Sequence, residues 1–427
     1  MGNRLDENIL RPLTYTSKAF YGVVAVLLGL TALFLYAWGF QLTQGLGVTG
    51  LRDVGAPYAG APWGLYITNF IWFIGVAHGG IAMSAAVRVM KAEKYRPVTR
   101  IAEVLTLISL AMAGLSIVLD MGRPDRLYLM LVFYFERIGQ SPMTWDITVI
   151  FLYFTLSAAY FTLSLREDLA AYMEHAPKRL RRLYRLLLIG YDKGEKPKVE
   201  QITWWLAMAI LGLITLLSGG MIAWIFGLIP AQALWFGAFS GPYFLSAALA
   251  SALAAVIVIA AIFRSVFKWQ DYIKPEVFRG LGTLLGIFSL TYLYMMLQEQ
   301  TAVRYAGPVA EMRISQALFL GEFAALYWPV VLGLAIPFLY LFAQTVYPKI
   351  FSLRLTVLSA AVMVVAFWVK RYLIVVPSLL FPRMPYPPGT YTPTFVEWSL
   401  VVGTFAIAVL LYMLLVKTFP MMELKEK

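Results

Sequence analysis

Residues 201–263 read QITWWLAMAILGLITLLSGGMIAWIFGLIPAQALWFGAFSGPYFLSAALASALAAVIVIAAIF, without a single Asp, Glu, Lys or Arg. About 20 apolar residues in a helix cross a bilayer, so this stretch is long enough for about three crossings. Pro230, Gly237, Gly241 and Pro242 mark the point where the chain turns back. The stretch therefore predicts two membrane helices joined by a turn, in a polytopic membrane protein.

The composition of the whole chain agrees with this assignment. Its 427 residues are 60% hydrophobic and 14% charged, whereas an average soluble protein has about 25% charged residues. A soluble enzyme, a nucleic-acid module and a disordered chain are thereby excluded. With no cysteine, the chain itself cannot hold a disulfide, a cysteine-ligated zinc ion or an iron–sulfur cluster. The two histidines, His78 and His175, lie far apart and His175 is in a charged loop, so neither haem nor metal is expected.

Charge-free windows of the same kind recur along the chain. Together with the flanking turn signals they predict ten helices, and leave 166–200 as the only sizeable soluble segment. The predicted helices cover residues 19–42, 63–90, 99–119, 143–165, 201–227, 240–266, 277–299, 317–346, 352–377 and 394–418.

The basic residues are unevenly divided between the two sides of these helices. With the N-terminus inside, 26 of the 35 Lys and Arg fall in inner segments. Because cytoplasmic loops carry the excess of Lys and Arg, both termini are expected in the cytoplasm, in a multi-pass protein of the plasma membrane. The net charge of +12 is thus explained by topology and not by nucleic-acid binding. Helix 1 is followed by no convincing cleavage site, so it is interpreted as a retained span.

Landmark residues in the two halves of the chain predict an internal duplication. Since helices 2–4 and 6–8 run in the same directions, the expected fold is all-α, with two four-helix bundles in parallel repeat (helices 2–5 and 6–9) and flanking helices 1 and 10. The landmarks recur at offsets of 177, 179 and 176: Tyr66 with Tyr243, Asp120 with Glu299, and Asp146 with Glu322.

The same interpretation divides the chain into four parts. Residues 1–62 hold the N-terminus, helix 1 and an outer loop; 63–227 hold the first bundle; 228–377 hold the second bundle; and 378–427 hold a Pro-rich outer loop, helix 10 and the tail. In the first bundle, the loop 166–200 has Arg and Leu at helical spacing. This pattern suits either a basic amphipathic helix on an anionic inner leaflet or a solvated loop.

Ionisable residues gather in the outer half of the predicted bundles. A charge inside a bilayer is costly, so such residues are functional candidates. His78 lies half-way along helix 2, Asp120 and Arg123 lie at the outer end of helix 3, and Asp146 begins helix 4. At the inner ends, Glu103 is the main acid among topogenic Lys and Arg. The second half supplies further candidates on the outer side: Glu299, Arg304, Glu322, Lys370, Arg371 and Glu397.

Such a cluster with apolar walls suits a quinone pocket. Quinone chemistry needs a flat apolar slot, a hydrogen-bonding group at each ring oxygen and titratable groups that move two protons. His78 is the expected partner of one oxygen, since imidazole titrates near neutrality. Asp120 or Asp146 would carry the proton outward, and Arg123 or Arg371 would keep a buried acid ionised. His78, Asp120 and Asp146 are therefore the predicted catalytic residues.

Simpler roles are open for the same residues. His78 also suits a hydrogen bond between helices, and Asp146 also suits the positive end of its helix dipole. Asp120 and Glu299 also suit interfacial acids that reach into water. Trp145 also suits an aromatic belt.

Five segments resemble motifs of the NrfD/PsrC family of quinone-binding membrane subunits, in particular its alternative complex III branch. Residues 69–79 (NFIWFIGVAHG) resemble the second-helix motif, in which a His follows Gly-x-x. The other four are similar to motifs that follow in the same order: 119–124 (LDMGRP), 143–146 (MTWD), 371–377 (RYLIVVP) and 391–397 (YTPTFVE).

The resemblance implies a quinone pocket on the outer side and no redox cofactor on this chain. The substrate is then a menaquinone-like quinol or quinone, and the implied binding residues are Tyr66, Asn69, His78, Arg123 and Trp145. A second-bundle site or a proton path is expected to involve Glu299, Glu322, Arg371, Glu397 and Glu103.

It also implies partners. A ferredoxin-like iron–sulfur subunit is expected over the outer pocket, together with a molybdopterin catalytic subunit or, as in alternative complex III, haem subunits. Ten predicted helices depart from the eight of the polysulfide reductase type, so the catalytic partner stays open.

Two rival interpretations are open. A secondary transporter also combines parallel repeats with polar residues in the membrane, and Pro329 and Pro337 within helix 8 would fit its broken helices. A purely structural anchor with an inactive pocket is the other alternative.

Overall fold

The computed structural model describes residues 6–52, 60–216, 223–237, 239–384 and 386–424. Within these residues, ten helices are long and apolar enough to cross a membrane, which confirms the predicted number. They are numbered as in the prediction: α1 Lys18–Gln44, α2 Leu65–Val89, α3 Arg96–Asp120, α4 Pro142–Tyr172, α5 Lys196–Leu213, α6 Ser240–Val266, α7 Pro275–Ala306, α8 Ala324–Val346, α9 Leu353–Leu380 and α10 Phe395–Val416.

Three predicted helix boundaries are wrong. The prediction ended each helix where the apolar window meets charged residues, whereas a helix can continue through charged residues. α4 continues to Tyr172 and α7 to Ala306, each past the point where the apolar window ends. Helix 5 was predicted over 201–227, but α5 begins at Lys196; residues 217–222 of the prediction lie outside the described residues, and a short helix follows at Ala223–Gly227.

Predicted helix 8 is interrupted near its start. A separate helix, Val309–Phe319, ends there, and the chain turns before α8 begins at Ala324. Gly321 makes this turn possible, because a Cβ on it would lie 2.8 Å from the Cα of Ala317. The prediction that Glu322 begins helix 8 is therefore wrong, since Glu322 lies in the turn.

The ten helices pack as two sets of four with two additional helices. Each helix of α2–α5 packs on the next, and α5 packs back on α2, so these four form a ring that we call the first bundle. Helices α6–α9 pack in the same way and form the second bundle. The parallel repeat that would relate the two bundles stays a prediction.

Helix α2 joins the two bundles. It packs on α6 and α9 as well as on α3 and α5. Of the most apolar 18 residues of α2, 94% are buried, whereas the corresponding fraction for α1 is 11%. Gly79 permits the close approach to α6, because a Cβ there would lie 2.5 Å from the carbonyl oxygen of Ala248. Small residues at such crossings are typical of membrane helix packing. Polar side chains on α2 are consequently held inside protein and away from lipid.

The two remaining helices, α1 and α10, pack on each other at the side of the first bundle, and α10 also contacts α3. On the side where α2 and α10 end, the segment 166–200 contains the helix Lys178–Leu187, which turns Tyr184 inward. The opposite side, where α2, α4, α6 and α10 begin, is the one that charge bias predicts to face outward. We call it the outer side.

Candidate functional site

His78 lies in the middle of α2 and has no hydrogen-bond partner among the described residues. The side chain is buried, and neither ring nitrogen is hydrogen-bonded to a described residue. The imidazole packs against Tyr153 of α4, with 4.3 Å between ring centres. The Tyr153 hydroxyl is likewise buried and unpartnered. Because a buried polar group without a partner costs about 1–3 kcal/mol, these two rings mark a place where a ligand or water is expected.

Asp146 lies on the same face of α4 as Tyr153, seven residues nearer the outer side. Its side chain is buried and its Oδ1 atom has no partner. Ser157, one turn inward from Tyr153, is also buried with a free hydroxyl. Side chains seven residues apart share a helix face, so α4 directs a file of polar groups into the first bundle.

Tyr66 and Asn69 of α2 serve as links between helices. The Tyr66 hydroxyl donates to Oε1 of Gln41 (2.6 Å), and Gln41 donates to the carbonyl of Leu119 at the end of α3 (2.8 Å). Asn69 accepts a hydrogen bond from the Trp368 indole of α9 at 3.3 Å. Both side chains are buried, so each holds α2 against its neighbours with its polar atoms engaged.

Asp120 and Glu397 lie near each other at the outer ends of α3 and α10, and each influences the hydroxyl of Tyr66 electrostatically. Asp120 is buried with Oδ1 unpartnered, and Arg52 is the basic side chain that acts on it. The structure therefore places Asp120 beside the α1–α10 side of the first bundle. His78 and Asp146 are related through Tyr153, which contacts His78 and shares the α4 face of Asp146. Asp120 lies at the outer end of α3, beside Glu397.

Glu397 has a complete set of structural partners. It accepts hydrogen bonds from the backbone N–H groups of Gly50 (2.8 Å) and Thr394 (3.0 Å) and from the Tyr391 hydroxyl (2.5 Å). The bond to Thr394 is half of a capping box that begins α10. Burial, and then the negative charge of Glu397, raises the pKa of Tyr391, so that tyrosine remains a hydrogen-bond donor.

Three predicted site residues lie away from the interior. Arg123 pairs with Asp125 at 2.8 Å, and their side chains are 63% and 59% exposed; the hydrogen bond from Arg123 lowers the pKa of Asp125. The indole N–H of Trp145 donates a hydrogen bond to the carbonyl of Ile138 (2.5 Å). Glu322 is exposed in the turn before α8. The structure does not bring these side chains to His78.

Glu103 belongs to a polar network on the inner side of the first bundle. It is buried and accepts hydrogen bonds from Ser84 (2.5 Å) and Ser164 (3.4 Å). One turn closer to the inner surface, Arg100 forms a buried ion pair with Asp168 and donates to carbonyls of the C-terminal tail. The network fastens α2, α3, α4 and the tail together.

A second buried charged cluster occupies the outer half of the second bundle. Arg371 of α9 is buried and donates to the hydroxyl of Ser251 in α6 (3.1 Å). The neighbouring Lys370 is also buried, lies 5.9 Å from the ring centre of Tyr243 and interacts electrostatically with Glu299. The predicted second-bundle residues Glu299 and Arg371 therefore lie in one cluster, through Lys370 and Tyr243.

Three residues of these clusters were missing from the predicted site. Tyr153 carried a usable signal, because it stands seven residues after Asp146 on one helix face. Tyr243 occupies the position that repeats Tyr66 at the predicted offset of 177. Lys370 stands beside Arg371 and is among the outer candidates of the second half, but not among the residues predicted for the site.

The described part of the chain contains no group of three or more His, Cys, Asp and Glu side chains placed to hold a metal ion. The side chains that meet at His78 are instead an imidazole and the phenol of Tyr153, and the carboxylate of Asp146 lies farther outward on the same face of α4.

Curated relatives cover nearly the whole chain. A protein of Halobacterium salinarum, provisionally named as a membrane subunit of dimethyl sulfoxide reductase, is 28% identical over 95% of this chain and 91% of its own length. A selenate reductase subunit of Mesobacillus selenatarsenatis is 26% identical over 98% and 96%. The Hdr-like menaquinol oxidoreductase integral membrane subunit of Archaeoglobus fulgidus is 24% identical over 94% of each chain.

The family model described as polysulphide reductase, NrfD, matches residues 54–383. This range includes α2 to α9, hence both bundles, His78, Asp146 and the Lys370 cluster. The ten apolar helices and the family match together give the broad identity: the chain is a multi-pass membrane protein that belongs to the NrfD family.

Proposed function

We propose that this chain is the quinone-reactive membrane subunit of a respiratory oxidoreductase complex. A quinol or quinone binds between α2 and α4 in the first bundle, and its electrons are exchanged with a partner iron–sulfur subunit on the outer side. The names of the relatives support this proposal, since two are named as subunits of reductases and one as a subunit of a menaquinol oxidoreductase. They favour redox chemistry over the transporter alternative.

The observation that carries the proposal is the set of buried, unpartnered polar groups along α2 and α4. Both nitrogens of His78, the hydroxyl of Tyr153 and Oδ1 of Asp146 lack a partner among the described residues. Native proteins rarely leave such groups unsatisfied, and those that exist tend to face a ligand or water. Their apolar surrounding suits the ring of a quinone.

The spacing along α4 also supports a quinone. Asp146 and Tyr153 are seven residues apart, which is a rise of about 10 Å. A quinone ring with a hydrogen bond of about 2.8 Å at each oxygen spans a similar distance. We place one ring oxygen at His78 and Tyr153, and the other at Asp146.

In the direction of quinol oxidation, two electrons and two protons leave the ring. Asp146, nearer the outer side, accepts a proton from one hydroxyl, and His78 accepts the proton from the other. Tyr153 supports the inner oxygen by hydrogen bonding. The two electrons pass to the iron–sulfur partner. Quinone reduction reverses these transfers at the same groups.

The assembly and location follow from the same proposal. The chain lies in the plasma membrane with both termini in the cytoplasm, and the iron–sulfur subunit sits over the outer ends of α2 and α4. That subunit connects to a molybdopterin catalytic subunit or to haem subunits. The first bundle, at 63–227, is the quinone-reactive part, and the second bundle, at 228–377, packs beside it.

Replacement of Asp146 by Asn tests the pocket, since it keeps the shape and removes the proton acceptor. In membranes that contain the whole complex, Asp146→Asn should lower menadiol oxidation about 100-fold or more, the lower range expected for loss of an acid–base group. Asp125→Asn, an exposed acid on the same side, is the matched control and should retain full turnover. Wild-type turnover in Asp146→Asn, with the complex intact, would contradict the proposed pocket in the first bundle.

Purification in mild detergent tests the partners. Iron and acid-labile sulfide should accompany the chain together with a ferredoxin-like polypeptide, and molybdenum or haem would identify the catalytic class. A chain that purifies alone and metal-free from gently treated membranes would contradict the proposed complex.

A further inference from the structure

A cavity of about 220 Å³ lies at the outer end of the second bundle, between α6, α7, α9 and the segment 223–237. Its walls are mainly aromatic and aliphatic. Trp235 closes one side and holds its orientation by donating to the carbonyl of Ile374 in α9 (2.8 Å). Phe226 packs on Trp235 with 4.8 Å between ring centres and stacks on Phe244 at 5.5 Å. The walls therefore form a slot suited to a flat ring.

Among the described residues, five polar side chains line this slot: Ser240, Tyr243, Gln298, Glu299 and Glu311. Glu311 is paired with Arg383 at 3.4 Å. The Tyr243 hydroxyl is buried and unpartnered, and its ring stacks on Tyr292 at 4.7 Å. Behind Tyr243, the buried Lys370 supplies a positive charge that interacts with Glu299. Of the polar groups in the lining, the unpartnered hydroxyl of Tyr243 and the carboxylate of Glu299 are the ones that would orient a ring bearing hydrogen-bonding oxygens.

We propose that this cavity is a second quinone head-group site, so that one chain binds two quinone molecules, one in each bundle. It rests on the proposed quinone chemistry of the first bundle but uses entirely separate residues. Glu299 accepts a hydrogen bond from one quinol hydroxyl, Tyr243 bonds the other oxygen, and Trp235 with Phe244 encloses the ring. The isoprenoid tail leaves toward lipid.

The size and charge of the cavity favour this ligand class. Its volume lies below the range of about 300–1,000 Å³ typical of sites for larger molecules, which suits a ring head group whose tail stays outside. A lipid acyl chain has no hydrogen-bonding group that could pair with the hydroxyl of Tyr243 or with the carboxylate of Glu299. A cationic ligand is disfavoured because both carboxylates of the lining already face a positive charge, Glu299 that of Lys370 and Glu311 that of Arg383.

The test is a binding stoichiometry, measured on the whole complex purified from membranes into nanodiscs and stripped of endogenous quinone. The probe is 2-heptyl-4-hydroxyquinoline N-oxide, a quinol mimic whose fluorescence is quenched when it binds. Wild type should bind two equivalents per chain. Ala302→Phe, which fills the cavity from α7, should bind one, as should Glu299→Gln combined with Tyr243→Phe.

Two controls accompany these variants. Ala325→Phe adds the same ring at an exposed position of α8 and should keep two equivalents. Glu299→Gln alone preserves side-chain size, so it remains informative if Ala302→Phe fails to assemble, and it should weaken one of the two equivalents about tenfold.

The outcomes separate the two proposed sites. One wild-type equivalent that is lost in Asp146→Asn and kept in Ala302→Phe would overturn the second site and leave the first-bundle pocket standing. One equivalent that is lost in Ala302→Phe and kept in Asp146→Asn would support the second site and contradict the first. Two equivalents of which one is displaced by added phosphatidylglycerol would show a lipid site in the second bundle and would overturn the proposal.

Discussion

The outer cap of α10 and the interior of the first bundle each contain a buried acid near the start of a helix, and the two acids differ in their partners. Glu397 accepts three hydrogen bonds from the loops around it. Oδ1 of Asp146 has no partner among the described residues. The same is true of both His78 nitrogens and of the Tyr153 hydroxyl in the first bundle. By burial alone the two carboxylates are alike.

The difference teaches that hydrogen-bond satisfaction separates structural acids from candidate functional ones. Removing Glu397 leaves backbone N–H groups unpaired, so its loss should act on stability. Removing the polar atoms of His78 or Asp146 leaves no described partner behind, so their loss should act on turnover. The predictions below test this division, in order of decreasing effect.

The largest effect is expected for His78→Phe, which keeps a ring at the position and removes both nitrogens. Quinol turnover of the assembled complex should fall about 100-fold or more, as for other losses of a general base. The melting temperature in detergent should not fall, since neither nitrogen bonds a described side chain. A large drop in melting temperature with normal turnover would reassign His78 to helix packing.

Glu397→Ala should show the opposite behaviour. It removes three accepted hydrogen bonds at a fully buried position, so the free energy of unfolding should fall by about 3 kcal/mol or more. Thermal denaturation of the purified chain measures this. Quinol turnover per assembled complex should stay within twofold of wild type, and a selective loss of turnover would place Glu397 in the proton path instead.

Tyr391→Phe should have a smaller effect on the same cap. The change removes one bond to Glu397 and the acceptor of the Leu65 N–H (2.9 Å), with an expected loss of about 1–2 kcal/mol. Because the pKa of Tyr391 is raised in the folded protein, its contribution is fully present below about pH 10, the ordinary tyrosine value, and is lost as pH rises further. Wild type and variant should therefore differ by a constant amount between pH 6 and 9.

Arg123→Ala should have the smallest effect. Its guanidinium pairs with Asp125 at the exposed outer surface, where ion pairs contribute little. Melting temperature and menadiol oxidation should both stay at wild-type values. A clear loss of menadiol oxidation would mean that Arg123 turns inward when quinol binds, as its motif implies.

Sequence reasoning recovered most of the fold and part of the candidate site. Ten spans were predictable because length and hydropathy are local properties of each segment. The boundaries of α4 and α7 were missed, since a helix that leaves the membrane continues through polar residues. His78 and Asp146 could be proposed from the sequence because polar residues in apolar helices stand out, and their roles stay predictions. Tyr153 was missed because a tyrosine in a membrane helix is common, and only its spacing of seven residues from Asp146 distinguishes it.

The sequence alone therefore predicted ten membrane-spanning helices, the number of sufficiently long and apolar helices among the described residues, and located polar residues within them. Only the tertiary structure decided which of these residues are already partnered. Glu397 accepts a hydrogen bond from Gly50, which is 347 residues away in the sequence, and Arg371 donates one to Ser251, which is 120 residues away. Such partners are set by how whole helices pack, because a side-chain hydrogen bond reaches only about 3 Å, and no local pattern in the chain records them.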